Sequence, residues 1–196
     1  YLSAPGEPQT PQQVSYVLLG VFLLSMEGLY GSLLQMVFHA LAKNALFLCA
    51  GAVICKTGCT RVKELRGMGK RMPAVMVCFA LASLSLVGIP PAGGFLAKWH
   101  LAVGAMRAEA GVFAWLGPVV LMVSALLTAG YLFPVIVEGF FPGEDWRKTA
   151  QSEDGRLSVS AFMGVPLAVL GISLLVLGAL GNPVFELLRG IASDMV

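Results

Sequence analysis

Charged residues are scarce in this chain. Only 12% of its 196 residues are Asp, Glu, Lys or Arg, against 57% hydrophobic residues, and the mean hydropathy is +0.82. A soluble domain carries roughly a quarter charged residues in its polar shell, so a water-soluble fold is excluded and a polytopic membrane protein is expected. The formal net charge of +2 is too small for a nucleic-acid surface, and no Lys/Arg-rich run is interleaved with aromatics, so no nucleic-acid partner is expected. The four cysteines, Cys49, Cys55, Cys59 and Cys78, contain no Cys-x-x-Cys pair. That argues against a dithiol redox centre, an iron-sulfur cluster or a zinc site and leaves apolar packing as their use. There is no G-x-G-x-x-G after a strand and no P-loop. No cofactor, metal or catalytic residue is therefore expected, and within a redox enzyme this chain would be a subunit that does not carry the electrons.

Long apolar stretches take the place of charge. They cover residues 14–26, 32–55, 73–89, 92–106, 112–137 and 160–180. A helix needs about 20 residues to cross the hydrocarbon core, so the second, fifth and sixth are long enough and the others are short. Between the third and fourth lies Gly88-Ile89-Pro90-Pro91-Ala92-Gly93-Gly94. Tandem proline removes two backbone donors, and Gly88, Gly93 and Gly94 weaken helix on both sides. One discontinuous helix is the reading, with a tight turn between two ordinary helices as the alternative. Unwound backbone inside a membrane is tolerated only where protein buries it or water lines it, an arrangement common at transporter sites. The expected fold is an all-α transmembrane bundle of about five to six spans.

Four regions are expected: a leader or linker over 1–13, a transmembrane module over 14–140, a polar connector over 141–159, and a final transmembrane helix with a tail over 160–196. The Pro/Gln-rich leader has neither a basic n-region nor a small-residue cleavage site, and the chain starts at Tyr1, as a piece of a longer protein would. The loop over 56–72 carries six bases and one acid, a net +5, while 138–156 carries five acids and three bases. The positive-inside rule would make the basic loop cytoplasmic. That rule is settled by the earliest helices of a chain, so orientation stays open.

Two lysines stand where lysine is costly. A charge at bilayer depth costs roughly 2.5 to 3.5 kcal/mol on insertion scales and usually marks a path for ions or protons. Lys43 lies twelve residues from each end of 31–55, about 18 Å along a helix axis, too deep to snorkel easily. His39 is four residues earlier, so the two share a helix face at about 6 Å. If both were charged, they would repel by roughly 2.8 kcal/mol at an effective dielectric of about 20, so the pair behaves as one shared proton site.

Lys98 lies seven residues past Pro91, where it either faces the break or reaches toward the membrane surface. His100, about 200° further around the helix, points elsewhere. Glu27 and Glu138 read as acids at helix ends. Ser83, Ser85, Ser124 and Thr128 suit packing between helices or hydrogen bonds within the bundle, and Trp99, Trp115 and Trp146 suit interface anchors.

Three segments carry a resemblance. His39-Ala-Leu-Ala-Lys43-Asn-Ala-Leu-Phe-Leu-Cys-Ala-Gly51, Met68-Gly-Lys-Arg-Met-Pro73 and Gly88-Ile-Pro-Pro-Ala-Gly-Gly-Phe-Leu-Ala-Lys98-Trp closely resemble the antiporter-like membrane subunits of respiratory complex I. The same family includes subunits of Mrp-type sodium/proton antiporters and of membrane-bound hydrogenases. The resemblance covers about 13–141 and corresponds to the second half of a family member.

It implies that His39, Lys43 and Lys98 pass protons along a hydrated axis in the membrane plane, with His100 as a further candidate; some members have glutamate where Lys98 stands. The expected setting is a larger complex in a bacterial inner membrane, with other membrane subunits, lipid and protons as partners. The first half of the family domain is absent from this sequence, so the chain alone is not expected to pump. Two rival readings are a structural subunit whose lysines pair with a partner's acids, and sodium/proton antiport. The spans hold no carboxylate cluster for a hard cation, which favours protons over sodium.

Overall fold

A computed structural model describes residues 9–23, 25–58, 61–108, 113–142, 157, 159–180 and 182–195. Cys59 and Trp146 lie outside the described residues, as do most of the leader assigned to 1–13 and most of the connector assigned to 141–159. Described elements are α1 (Gln9–Phe22), α2 (Met26–Thr57), a 3-10 turn (Val62–Leu65), α3 (Met68–Arg71), α4 (Pro73–Val87), α5 (Gly93–Arg107), α6 (Phe113–Phe140), α7 (Ala161–Leu180) and α8 (Asn182–Met195). No strand occurs among them, in line with the expected all-α bundle.

Helix α2 is the axis of the bundle. Its 32 residues extend about 48 Å. Ser25 starts it: the Ser25 side chain accepts a hydrogen bond from the Gly28 amide at 3.2 Å, a cap typically worth about 1 kcal/mol. Glu27 in the first turn complements the positive helix end. Gly58 stops it in the left-handed region at φ 68, its amide bonded to Ile54 O. Leu34, Phe38, Ala42, Ala45, Cys49, Ala52 and Val53 recur at helical spacing and are all buried. Around this stripe pack α1, α4, α5, α7 and α8.

Lipid tails are as apolar as these side chains, so close packing at small residues holds such helices together. A Cβ on Gly31 would lie 2.7 Å from Leu101 N, and one on Gly104 would lie 2.7 Å from Gly28 N. The outer surface is correspondingly apolar: Trp115, Met122 and Leu126 on α6 and Phe162, Val165 and Val169 on α7 are exposed. Helices α2, α6 and α7 are each long and apolar enough to cross a membrane.

Helices α4 and α5 make one further crossing in two pieces. Each has 15 residues, about 22 Å, short of the roughly 30 Å core. Together they run antiparallel to α2. Cys49 Sγ donates to Val75 O at 3.4 Å near the start of α4. Gly93 abuts the Phe38 ring, Gly31 meets Ala97 and Leu101, and Gly104 meets Gly28. The chain thus passes from one end of α2 to the other with a break in the middle, which is the discontinuous helix and not a turn between two separate spans. Beyond α7, the residues read as a tail form α8, which packs on α2 with the Phe185 ring edge-on to Phe38 at 6.3 Å.

Candidate functional site

The break follows from local backbone chemistry. Gly88 ends α4 at φ 85, its amide bonded to Leu84 O at 2.9 Å. Only glycine takes that left-handed conformation without strain. A cis peptide joins Pro90 to Pro91, the Ala92 amide closes a turn onto Ile89 O at 3.0 Å, and α5 begins at Gly93.

The last turn of a helix has carbonyls without intrahelical donors, and these carry the negative end of the helix dipole. Lys98 satisfies two of them. Its stem runs back along α5, and Nζ donates to Leu86 O at 2.8 Å and to Val87 O at 2.7 Å. Of the two directions open to Lys98, the structure has it face the break. Hydrogen bonds to a charged group are typically worth about 1.5 to 3 kcal/mol each, so the ammonium ties the two half-helices together where the backbone cannot. A Cβ on Gly88 would lie 2.9 Å from Lys98 Cδ, so glycine is needed there for space as well as for φ.

His39 and Lys43 are one turn apart on α2, and both are partly buried. His39 lies next to Phe38, whose ring faces Gly93 at the start of α5. It is within electrostatic reach of both Lys43 and Lys98. The fold therefore brings the α2 turn that carries His39 and Lys43 alongside the start of α5, where Lys98 reaches back to α4. Two buried polar atoms nearby, His39 Nδ1 and Ser85 Oγ, have no hydrogen-bond partner in the protein. Such groups are normally satisfied by water when protein does not supply a partner.

His100 does not join this group. It turns to the Met26 end of α2, where Nδ1 lies 2.7 Å from Glu27 Oε2. Arg107 donates to the other carboxylate oxygen at 3.3 Å, and the Tyr30 ring meets the imidazole edge-on at 4.7 Å. The pairing of Glu27 with His100 escaped the sequence reading because 73 positions separate them. Glu138, at the other end of the module, takes both Nε and NH2 of Arg66 at 3.1 and 3.2 Å, and this bidentate contact holds the Arg66 guanidinium above its usual pKa range.

The remaining candidates do structural work. Ser83 donates to Phe79 O and Thr128 to Ser124 O within their own helices. Cys49 and Cys78 are buried, and Cys78 Sγ donates to Leu167 O at 3.4 Å. Trp99 and Trp115 are exposed on the outer surface. Among the described residues, no group of three His, Cys, Asp or Glu side chains is placed to hold a metal ion.

Comparison with known proteins agrees with this architecture. Residues 10–128 match the family described as NADH:quinone oxidoreductase/Mrp antiporter, TM. NADH-quinone oxidoreductase subunit N of Desulforudis audaxviator is 41% identical over 182 residues, which is 89% of this chain and 35% of that protein. F(420)H(2) dehydrogenase subunit L of Methanosarcina mazei is 33% identical over 180 residues, covering 87% of this chain and 26% of that protein. Among solved structures, a chain of the Mrp complex from Dietzia sp. DQ12-45-1b superposes with a TM-score of 0.77 at 28% identity, over 93% of this chain and 40% of that one. This chain spans about a third of the length of the curated relatives it matches. With more than half of its residues matched in register, it belongs to the NADH:quinone oxidoreductase/Mrp antiporter transmembrane family.

Proposed function

We propose that this chain is a proton-translocating module of a multisubunit membrane complex, in which His39, Lys43 and Lys98 form the interior relay. The observation that carries the proposal is Lys98 bound to the carbonyl end of α4 at a mid-crossing break, with α2 packed against that break at Phe38, next to His39. Relatives named as NADH-quinone oxidoreductase, F(420)H(2) dehydrogenase and Na(+)/H(+) antiporter subunits support a setting among other membrane subunits. A bacterial inner membrane suits the first of them. Within such a complex the chain is a non-redox subunit.

The mechanism is electrostatic. At ~10 Å and an effective dielectric of about 20, one added charge disfavours a second by ~1.7 kcal/mol, roughly an 18-fold change in occupancy. Protonation of the His39–Lys43 pair therefore weakens the hold of Lys98 on its proton, and release from Lys98 favours the next loading. Lys98 obtains its hydrogen bonds within its own chain and needs no acid from a partner, which weighs against a purely structural role. The sequence of the spans holds no cluster of carboxylates for a hard cation, which weighs against sodium.

The test is Lys43→Met in the assembled complex, reconstituted in vesicles and assayed for proton pumping. Pumping falls by at least about tenfold while assembly persists. Undiminished pumping would refute the relay, and lost assembly with normal pumping per complex would favour the structural role. Replacing sodium with choline leaves the rate unchanged if the ion moved is the proton.

A further inference from the structure

A second polar feature of α2 leads away from the relay. Glu27, Gly31, Gln35, His39 and Lys43 stand four residues apart, so each step rises about 6 Å and turns about 40° around the helix. Gln35 is buried at 4% exposure among apolar neighbours. It lies one turn from His39 and one turn from Gly31, whose missing side chain lets α5 approach at Ala97 and Leu101. The stripe ends at Glu27, and there the fold opens.

A cleft of about 310 Å3 lies between α2, α5 and α8 and is lined by Glu27, Tyr30, His100, Glu186 and Arg189 among others. Liquid water occupies roughly 30 Å3 per molecule, so this volume corresponds to about ten waters. His100 and Glu27 stand at its wall with side chains 28% and 25% exposed and in contact at 2.7 Å. An acid and an imidazole in contact beside water are the parts that proton transfer requires.

We propose that Glu27 and His100 form the aqueous port of the relay, where protons pass between the interior groups and the water on the Met26 side of the module. The inference rests on the relay reading and extends it to two residues outside that centre. In release, His100 Nδ1–H gives its proton to the Glu27 carboxylate, leaving neutral imidazole and a carboxylic acid. The acid then passes the proton to cleft water and regains its charge beside Arg107. Uptake is the reverse. Among the described residues, Glu186 and Arg189 on α8 and Arg107 on α5 are the other charged groups placed at the pair.

The test uses the assembled complex in vesicles, with pumping read as membrane potential so that a weak acid equilibrated on both sides does not collapse the signal. Glu27→Ala slows pumping by at least about tenfold, the lower range for loss of a proton-transfer group. Sodium acetate restores it at least about threefold by supplying a carboxylate through the cleft. Lys43→Met is not rescued by acetate. Parent-level pumping in Glu27→Ala, or a slow variant that acetate leaves unchanged, overturns the port. So does failure of Glu27→Gln to assemble, which would make the pair a structural clasp. Parent-level pumping in Lys43→Met would instead sink the relay itself, whatever Glu27 does.

Discussion

Substitution of Gly88 by alanine separates backbone strain from interference with Lys98. The φ of 85 at Gly88 lies in the left-handed region, where a Cβ costs about 1 to 2 kcal/mol. The added methyl would also lie 2.9 Å from Lys98 Cδ and 3.3 Å from Nζ. The stem can yield, but only by shifting an ammonium held at 2.7 and 2.8 Å by two carbonyls. If that shift costs half of two bonds of about 1.5 to 3 kcal/mol each, Gly88→Ala places roughly 1.5 to 3 kcal/mol on the relay beyond the strain.

Gly58 is the control. It has φ 68 at the end of α2, and nothing lies within 4 Å of its Cβ position, so Gly58→Ala suffers the strain alone. Both variants are expected to lower thermal stability of the complex, Gly88→Ala by more than Gly58→Ala because its Lys98 contact is weakened as well. Only Gly88→Ala is expected to slow proton pumping, by about tenfold or more. Equal pumping in the two variants would refute the view that the Lys98–carbonyl contact belongs to the transfer path.

Other substitutions probe single links. Lys98→Arg keeps a cation for the Leu86 and Val87 carbonyls but does not release its proton, so assembly should survive while pumping is lost. Recovered pumping in that variant would count against proton release at this position. Gly31→Ala drives a Cβ against the rigid backbone of α5 at Leu101 and should cost about 1 to 3 kcal/mol, seen as reduced complex yield on native gels. Arg66 and Glu138 are 59% and 39% exposed, so a double-mutant cycle to alanine should return only a small coupling that declines with added salt.

The broken crossing was legible because proline and glycine act locally: Pro90, Pro91 and Gly88 disrupt helix wherever the chain goes. The placement of His39 and Lys43 on one face was equally legible, since it follows from a spacing of four. The direction of Lys98 was not, because it depends on which free carbonyls lie within reach once α4 and α5 stack end to end. Nor was the start of α2 at Met26. Gly28 and Gly31 look like helix breakers in sequence, yet they are where α5 comes close, and tertiary packing outweighs their propensity. Glu27 read as an ordinary acid at a helix end because His100, its partner, arrives from a distant segment. The same applies to α8: its polar side chains suggest a solvated tail, while Phe185, Leu188 and Ala192 form an inward face.

The last turns of α7 pack beside the gap between α4 and α5, since a Cβ on Gly178 would meet Gly93 N at 2.6 Å and Pro91 O at 2.9 Å. The break is therefore flanked by α7 and by α2, which passes it whole with the Phe38 ring against Gly93. Any tilting or sliding of α5 against α4 is resisted there by the continuous α2 and by the Lys98 tether. Loss of the tether's proton would soften that seam at the moment the charge moves on.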